Sequence, residues 1–246
     1  MEIVITMAGI GSRFKKAGYT VPKYMIDACG KTLFEWSMES LSGFYDEENT
    51  YYFIVRKDDA ASAFITEKCS SLGIGSFQLI ELDEQTDGQA TTAMLAAKGW
   101  KQDAELLIYN IDTYVEAPEM RREQIAGDGF IPCFHAEGEH WSFVKLDEEG
   151  KAVEVREKQR ISDNCTLGAY YFRSCALYEQ LYNEYYSRQE HLEKGEKYVA
   201  PLYNYLIEKG GEVRISIVNE KKVHVLGTPE ELQVFVNEYQ NQSKTE

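Results

Sequence analysis

Directly after the apolar stretch Glu2–Thr6 the chain runs Met7-Ala8-Gly9-Ile10-Gly11-Ser12-Arg13-Phe14, and Pro22-Lys23 follows. Gly9 and Gly11 carry no Cβ and tolerate positive φ, so a loop holding them can bring its backbone close to a ligand. The N–H groups of Ala8, Gly9, Gly11 and Ser12 are then free to point at anionic oxygens, with Arg13 and Lys23 adding charge at the same place. A guanidinium grips two phosphate oxygens in one plane and keeps its charge at physiological pH. The chemistry that suits these residue types is the binding of a polyphosphate. A Gly-x-Gly alone is a weak signal, and the arginine two residues on and the Pro-Lys pair make it a strong one.

Five later segments follow in order: Gly88-Gln89-Ala90-Thr91-Thr92-Ala93, Asn110-Ile111-Asp112, Glu157-Lys158, Leu167-Gly168-Ala169-Tyr170-Tyr171-Phe172 and Leu226-Gly227-Thr228-Pro229-Glu230-Glu231-Leu232. Together with the first loop they resemble the nucleotidyltransferases that join a nucleoside triphosphate to a phosphorylated small molecule. These are the sugar-1-phosphate nucleotidyltransferases and their phosphocholine cytidylyltransferase relatives. The resemblance covers nearly the whole chain, and the order of several motifs is far more specific than any one of them.

The resemblance implies a single-domain Rossmann-like α/β fold of the nucleotide-diphospho-sugar transferase type, with a mainly parallel mixed sheet and helices on both faces. It implies transfer of a nucleotidyl group to a sugar-1-phosphate or phosphocholine-like acceptor, with pyrophosphate released and Mg²⁺ as cofactor, supplying activated precursors for surface (capsular) polysaccharide. Two anions must be joined, so catalysis is mostly positioning plus cations and needs no protein nucleophile. On this pattern Arg13, Lys23 and Lys158 are catalytic. Ala8, Gly9, Gly11, Ser12, Gly88 and Gln89 contact the nucleotide, Glu157, Gly168 and Tyr198 the acceptor, and Asp112 the metal.

Each assignment has a plainer competitor. Asp112, after the apolar run Leu106–Tyr109, either presents a carboxylate at a strand end or caps a helix, and Asn110 could hold its rotamer. Glu157-Lys158 could belong to a surface charge cluster with Arg156 and Arg160, and Gly88-Gln89 could simply start a helix. Tyr198, Ala200 and Pro201 either close over the acceptor or pack in the core, Lys15 and Lys16 suit solvated surface, and the four histidines show no metal spacing. Many members of the family carry an aspartate two residues before Gly-Thr-Pro as a second metal ligand, where this chain has Val225. Glu220 is a candidate replacement. A glycosyltransferase of the related fold would show Asp-x-Asp where this chain has Asn110-Ile111-Asp112, and a catalytically silent nucleotide-binding module would fit Val225.

The elements that must position these residues are legible as short apolar runs bounded by polar or glycine segments: Ile3–Met7, Tyr51–Val55, Phe77–Leu82 and Leu106–Tyr109. Helical patterns alternate with them, one starting at a Thr32–Glu35 capping box, one near Asp58-Asp59 and one after Gly88. This alternation predicts a right-handed βαβ sheet with its ligands at the carboxyl ends of the strands. The second half is mixed. Strands are expected at Phe130–Phe134, Ser142–Leu146, Val153–Arg156, Leu167–Phe172, Val213–Val218 and Val223–Val225, and helices at Leu177–Tyr186 and Leu202–Lys209. A last helix begins with Thr228 as N-cap, Pro229 in its first turn and Glu231 closing a capping box, and the polar tail Asn241–Glu246 is expected to fray.

Composition narrows the partners. With 246 residues, 43% hydrophobic and 27% charged, the chain suits one soluble domain spanning residues 1–246. Its N-terminus enters a strand pattern at once and no apolar run approaches membrane-spanning length, so neither a leader nor a membrane partner is expected. The net charge of −15 opposes a nucleic-acid partner. Residues 1–31 run against that balance, with Arg13, Lys15, Lys16, Lys23 and Lys31 against Glu2 and Asp27, a local field suited to a small polyphosphate. Five scattered cysteines suit buried, reduced thiols and a cytoplasmic location.

Overall fold

Alternating strand and helix patterns dictate the architecture of the computed structural model, which describes residues 1–242. In chain order the first half comprises β1 (Glu2–Thr6), α1 (Ser12–Lys16), β2 (Asp27–Ala28), β3 (Lys31–Thr32), α2 (Leu33–Glu39), β4 (Thr50–Arg56), α3 (Ser62–Leu72), β5 (Phe77–Leu82), α4 (Gln89–Met94), β6 (Leu106–Asn110) and β7 (Thr113–Val115). The second comprises β8 (Gly129–His135), β9 (Ser142–Leu146), β10 (Ala152–Glu157), β11 (Asn164–Thr166), β12 (Ala169–Phe172), α5 (Cys175–Tyr185), α6 (Leu202–Glu208), β13 (Val213–Ile217), β14 (Val223–Val225) and α7 (Pro229–Gln242).

Among the described residues one ten-stranded sheet has the order β10-β9-β11-β8-β12-β6-β1-β4-β5, with β13 beside β8. The strands β6-β1-β4-β5 pair in parallel, as does β13 with β8, while β12, β11 and β10 run the other way. Successive side chains of a strand point to opposite faces, and the core divides accordingly. Ile3 and Ile5 join Phe53, Val55 and Tyr109 under Phe34 and Met38 of α2 and Ile65 of α3. Val4 joins Ile54 and Ile108 over Ala90 and Ala93 of α4, Tyr178 of α5 and Leu206 of α6. Helices therefore cover both faces of a mixed α/β sheet, as expected.

The Thr32 box closes as expected: Glu35 N donates to Thr32 Oγ1 at 3.3 Å, and Thr32 N donates to the Glu35 carboxylate at 2.8 Å. Several local expectations shift. Asp58 and Asp59 lie in a 3₁₀ turn, Lys57–Asp59, and α3 starts only at Ser62. The expected strand Leu167–Phe172 begins only at Ala169, because Leu167 and Gly168, φ +76°, lie outside any strand. The glycine loop leads at once into the unforeseen short helix α1. Helix α7 holds Asn241 and Gln242, and the rest of the polar tail, residues 243–246, lies outside the described residues.

A third apolar cluster was not legible from periodicity. Phe14, Trp36, Leu226, Leu232 and Phe235 pack together and fasten α7 beside the N-terminal loop. The Trp36 ring meets Phe235 edge-on at 5.1 Å and lies 5.0 Å from Tyr114, while its Nε1 donates to Ala28 O at 2.8 Å. Phe235 is buried. Phe235→Ala is expected to cost about 3 kcal/mol, the low end for a buried aromatic, in a urea unfolding titration. A loss below about 1 kcal/mol would mean that α7 is not anchored by this cluster.

Candidate active site

Where the strand order reverses between β1 and β6, the loops leaving their carboxyl ends diverge and open a crevice. A cleft of about 710 Å³ lies there, and it is lined by all the residues assigned to catalysis, nucleotide, acceptor and metal from the resemblance, from Ala8 to Tyr198.

Ala8, Gly9, Gly11, Ser12 and Arg13 form its wall beyond β1. Gly11 takes φ +64° as the residue preceding α1, a conformation that a side chain would strain. Gly9 has no such requirement, and a Cβ there would meet nothing within 4 Å, so its backbone lies open. Among the described residues the Arg13 guanidinium has neither a hydrogen-bond nor an ion-pair partner, and Lys15 and Lys16 do not line the cleft.

Lys23 opens a 3₁₀ turn after Pro22, and its Nζ donates to Asp112 Oδ2 at 3.1 Å. Its side chain is 17% exposed and that of Asp112 39%, so the pair is partly desolvated and faces the cleft. Asp112 does not cap a helix, because β7 begins at the next residue, and its carbonyl accepts from Leu226 N at 2.8 Å. Asn110 does not hold the aspartate. Its Oδ1 accepts from Thr6 Oγ1 at 3.2 Å and from Gln89 Nε2, and its backbone N donates to Gly168 O at 3.0 Å. A Cβ at Gly168 would lie 2.7 Å from Asn110 Nδ2, so only glycine lets these segments approach.

Gln89 Nε2 also donates to Thr6 Oγ1 at 3.3 Å, and among the described residues its amide oxygen has no hydrogen-bond partner. Gly88 is clamped from outside the loop. Ala90 N donates to Lys197 O at 3.0 Å, Lys197 N donates to Asp87 O at 2.7 Å, and Lys197 Nζ pairs with Asp87 Oδ2 at 2.8 Å. Burial alone would raise the Asp87 carboxyl, but hydrogen bonds from Lys197 and Thr91 outweigh it and hold it below the usual carboxylate value.

The far wall comes from β10 and the segment before α6. Lys158 takes φ +53°, a conformation uncommon for a residue with a side chain, and its N–H is held by Trp141 O at 2.8 Å. Its Nζ donates to Tyr198 Oη at 2.9 Å and lies 3.4 Å from Glu157 Oε1. Burial would lower this ammonium, yet Tyr198 and Glu157 overcome it and hold Lys158 above the ordinary lysine value, so it stays charged. Glu157 accepts from Ser142 Oγ, and Tyr198 Oη donates to Glu196. The neighbouring arginines pair elsewhere, Arg156 with Glu154 and Arg160 with Asp163, each at 2.7 Å. Tyr198 lines the cleft, whereas Ala200 and Pro201 are buried in the core.

Sequence reasoning missed Trp141, Ser142, Glu196 and His140, all of which line the cleft, and nothing in their spacing marks them. It also misplaced a carboxylate. Glu220 is exposed in the turn Glu220–Lys222 and does not line the cleft, whereas Glu231 does. Among the described residues the capping box at α7 is half made, because Glu231 N donates to Thr228 Oγ1 at 3.1 Å but the Glu231 carboxylate accepts no bond in return.

No protein-family model and no curated protein matches the chain. Among solved structures it is similar to the nucleoside-diphosphate-sugar pyrophosphorylase from Vibrio cholerae RC9, with 38% identity and a TM-score of 0.88 over 96% of this chain and 99% of that one. It shares its fold with the inositol-1-phosphate CTP transferase from T. maritima, with 14% identity and a TM-score of 0.74 over 96% of each chain.

The two loop glycines separate by test. A Cβ at Gly88 would stand 2.3 Å from Lys197 O, on a backbone at φ +141°, so Gly88→Ala must push the clamp apart. It is expected to destabilise the protein by about 1–3 kcal/mol, whereas Gly9→Ala should melt as the parent does. Thermal melts of the two variants check this, and equal melting temperatures would contradict the clamp.

Proposed function

Because the chain belongs to the nucleotidyltransferase family, we propose that it transfers a nucleotidyl group from a nucleoside triphosphate to a phosphorylated small molecule, a sugar-1-phosphate or a phosphocholine-like acceptor. A phosphate oxygen of the acceptor attacks the α-phosphorus, the bond to the bridging oxygen breaks, and pyrophosphate leaves with that electron pair. The observation that carries this reading is the placement of Arg13 and Lys158, from two halves of the sheet, in one cleft with the Lys23–Asp112 pair.

The open backbone at Ala8–Ser12 and the unpartnered Arg13 suit the leaving pyrophosphate oxygens. Lys158, kept charged and fixed by Tyr198 and Glu157, suits the acceptor phosphate, and Glu157 with Tyr198 can orient the rest of that molecule. Lys23 stands next to the carboxylate at the centre, where charge must be balanced while two anions approach. Gly168 and Gln89 set the spacing through Asn110.

The residues fit a magnesium ion. Asp112 offers carboxylate oxygen, and a Cβ at Gly227 would fill a space 3.8 Å from Asp112 Oδ2 and 3.2 Å from Glu231 Oε2. Mg²⁺, when bound, lowers the repulsion between the phosphates, and Asp112 would hold it. Among the described residues no three His, Cys, Asp or Glu side chains form a ready metal cage, in keeping with an ion that retains water and phosphate ligands.

We extend the reading to a single nucleotidyltransferase domain over residues 1–246, acting in the cytoplasm and supplying precursors for surface polysaccharide. In support of that location, all five cysteines are free.

Pyrophosphate release from CTP, UTP and dTTP, each with a panel of sugar-1-phosphates and phosphocholine, tests the function. One pair should turn over, and release from none would contradict the reading. With that pair, Arg13→Ala is expected to lower the rate by about 10²–10³ with little change in melting temperature. A rate within a few-fold of the parent would place Arg13 outside the reaction.

A further inference from the structure

The Glu231 carboxylate faces the cleft unpaired among the described residues. It stands in the first turn of α7, where its backbone N–H is satisfied by Thr228 Oγ1 at 3.1 Å. Among the described residues the usual return bond, donated by the capping residue's own N–H to a carboxylate at this position, is not made. The side chain lines the cleft instead, and among the described residues it has no hydrogen-bond or ion-pair partner. Across the gap at Gly227 stands Asp112, whose Oδ2 already receives Lys23 Nζ at 3.1 Å.

Two carboxylates therefore face the cleft here, and among the described residues Lys23 pairs with only one of them, Asp112. Two carboxylates sharing a partly dry site repel unless a cation lies between them. The absent Cβ of Gly227 supplies the room. Val225, two residues before it, contributes an apolar wall and no ligand.

We infer that Glu231 is the second carboxylate ligand of the divalent cation, acting with Asp112 across the Gly227 gap. This rests on the nucleotidyl-transfer reading only for the identity of the phosphates that complete the shell. Two carboxylates, with the remaining positions left to water and phosphate, suit Mg²⁺ or Mn²⁺ better than Ca²⁺, which takes six to eight oxygen ligands in a flexible shell. The chain thereby recovers from α7 the carboxylate that Val225 withholds.

The test uses the full chain and Mn²⁺ as probe, with free Mn²⁺ read by electron paramagnetic resonance, both without nucleotide and with the triphosphate that supports turnover. Glu231→Gln keeps the side chain's size and breaks no hydrogen bond, so its melting temperature should match the parent's. Its Mn²⁺ affinity should fall by about tenfold or more, as should that of Asp112→Asn. Mn²⁺ affinity in Glu231→Gln within about twofold of the parent would overturn the assignment even if the enzyme releases pyrophosphate. Failure of the parent to bind Mn²⁺ in either condition would also overturn it. Absence of pyrophosphate release from every substrate pair would reject the proposed reaction, while the Mn²⁺ comparison would still decide the role of Glu231.

Discussion

Thr6 and Asn110 stand opposite each other at the carboxyl ends of β1 and β6, joined by parallel pairing and by a side-chain hydrogen bond of 3.2 Å. Everything in the cleft is referred to that register. Past Thr6 the chain turns into the glycine loop, and past Asn110 it reaches Asp112, so an anion-binding backbone and a carboxylate emerge side by side. Slipping the register by one residue would turn Val4 toward the face of Ile3 and Ile5 and break both cores at once. The packing of a two-faced sheet thus fixes the geometry of the chemistry.

Asn110 then extends this constraint to the rest of the site. Gln89 ties α4 to it through the side chain, and Gly168 ties β12 to it through a close backbone approach. The Gly88 loop is held in turn by Lys197, one residue from Tyr198, whose hydroxyl meets Lys158. The two walls are therefore joined through protein, and a ligand seated on one wall meets the other already in place. Such preorganisation matters where the reacting groups are both anions and the protein's work is mainly positioning. The overall charge of −15 gives this arrangement a selective edge, since Arg13, Lys23 and Lys158 bring positive charge into the cleft while the net field of the protein repels long polyanions.

The strands of the parallel half were legible because each is a short apolar run, and their carboxyl ends located Gly11 and Asp112 without any contact being known. Glu157-Lys158 and Tyr198 could be placed only by resemblance, because Lys158 meets Tyr198 through a side-chain contact across 40 residues that no local pattern encodes. Two misplacements share one cause. Asn110 and Glu231 were given local duties, steadying the next aspartate and closing a helix cap; Asn110 instead joins Thr6 and Gln89, and the Glu231 side chain lines the cleft. A polar side chain next to a familiar local motif is satisfied wherever its best partner lies, and for Asn110 that partner is 104 residues away. The cluster around Trp36 escaped for the same reason, since Phe14, Trp36 and Phe235 share no periodicity.

A structure of the protein with a non-hydrolysable α,β-methylene triphosphate analogue and an acceptor phosphate would test most directly whether one cleft serves both anions. The triphosphate should lie along the backbone of residues 8–12 within hydrogen-bond reach of Arg13, and the acceptor phosphate should lie on Lys158. Both anions bound at the Gly11 loop with Lys158 still closed on Tyr198, or either of them bound outside the cleft between β1 and β6, would contradict the two-walled site.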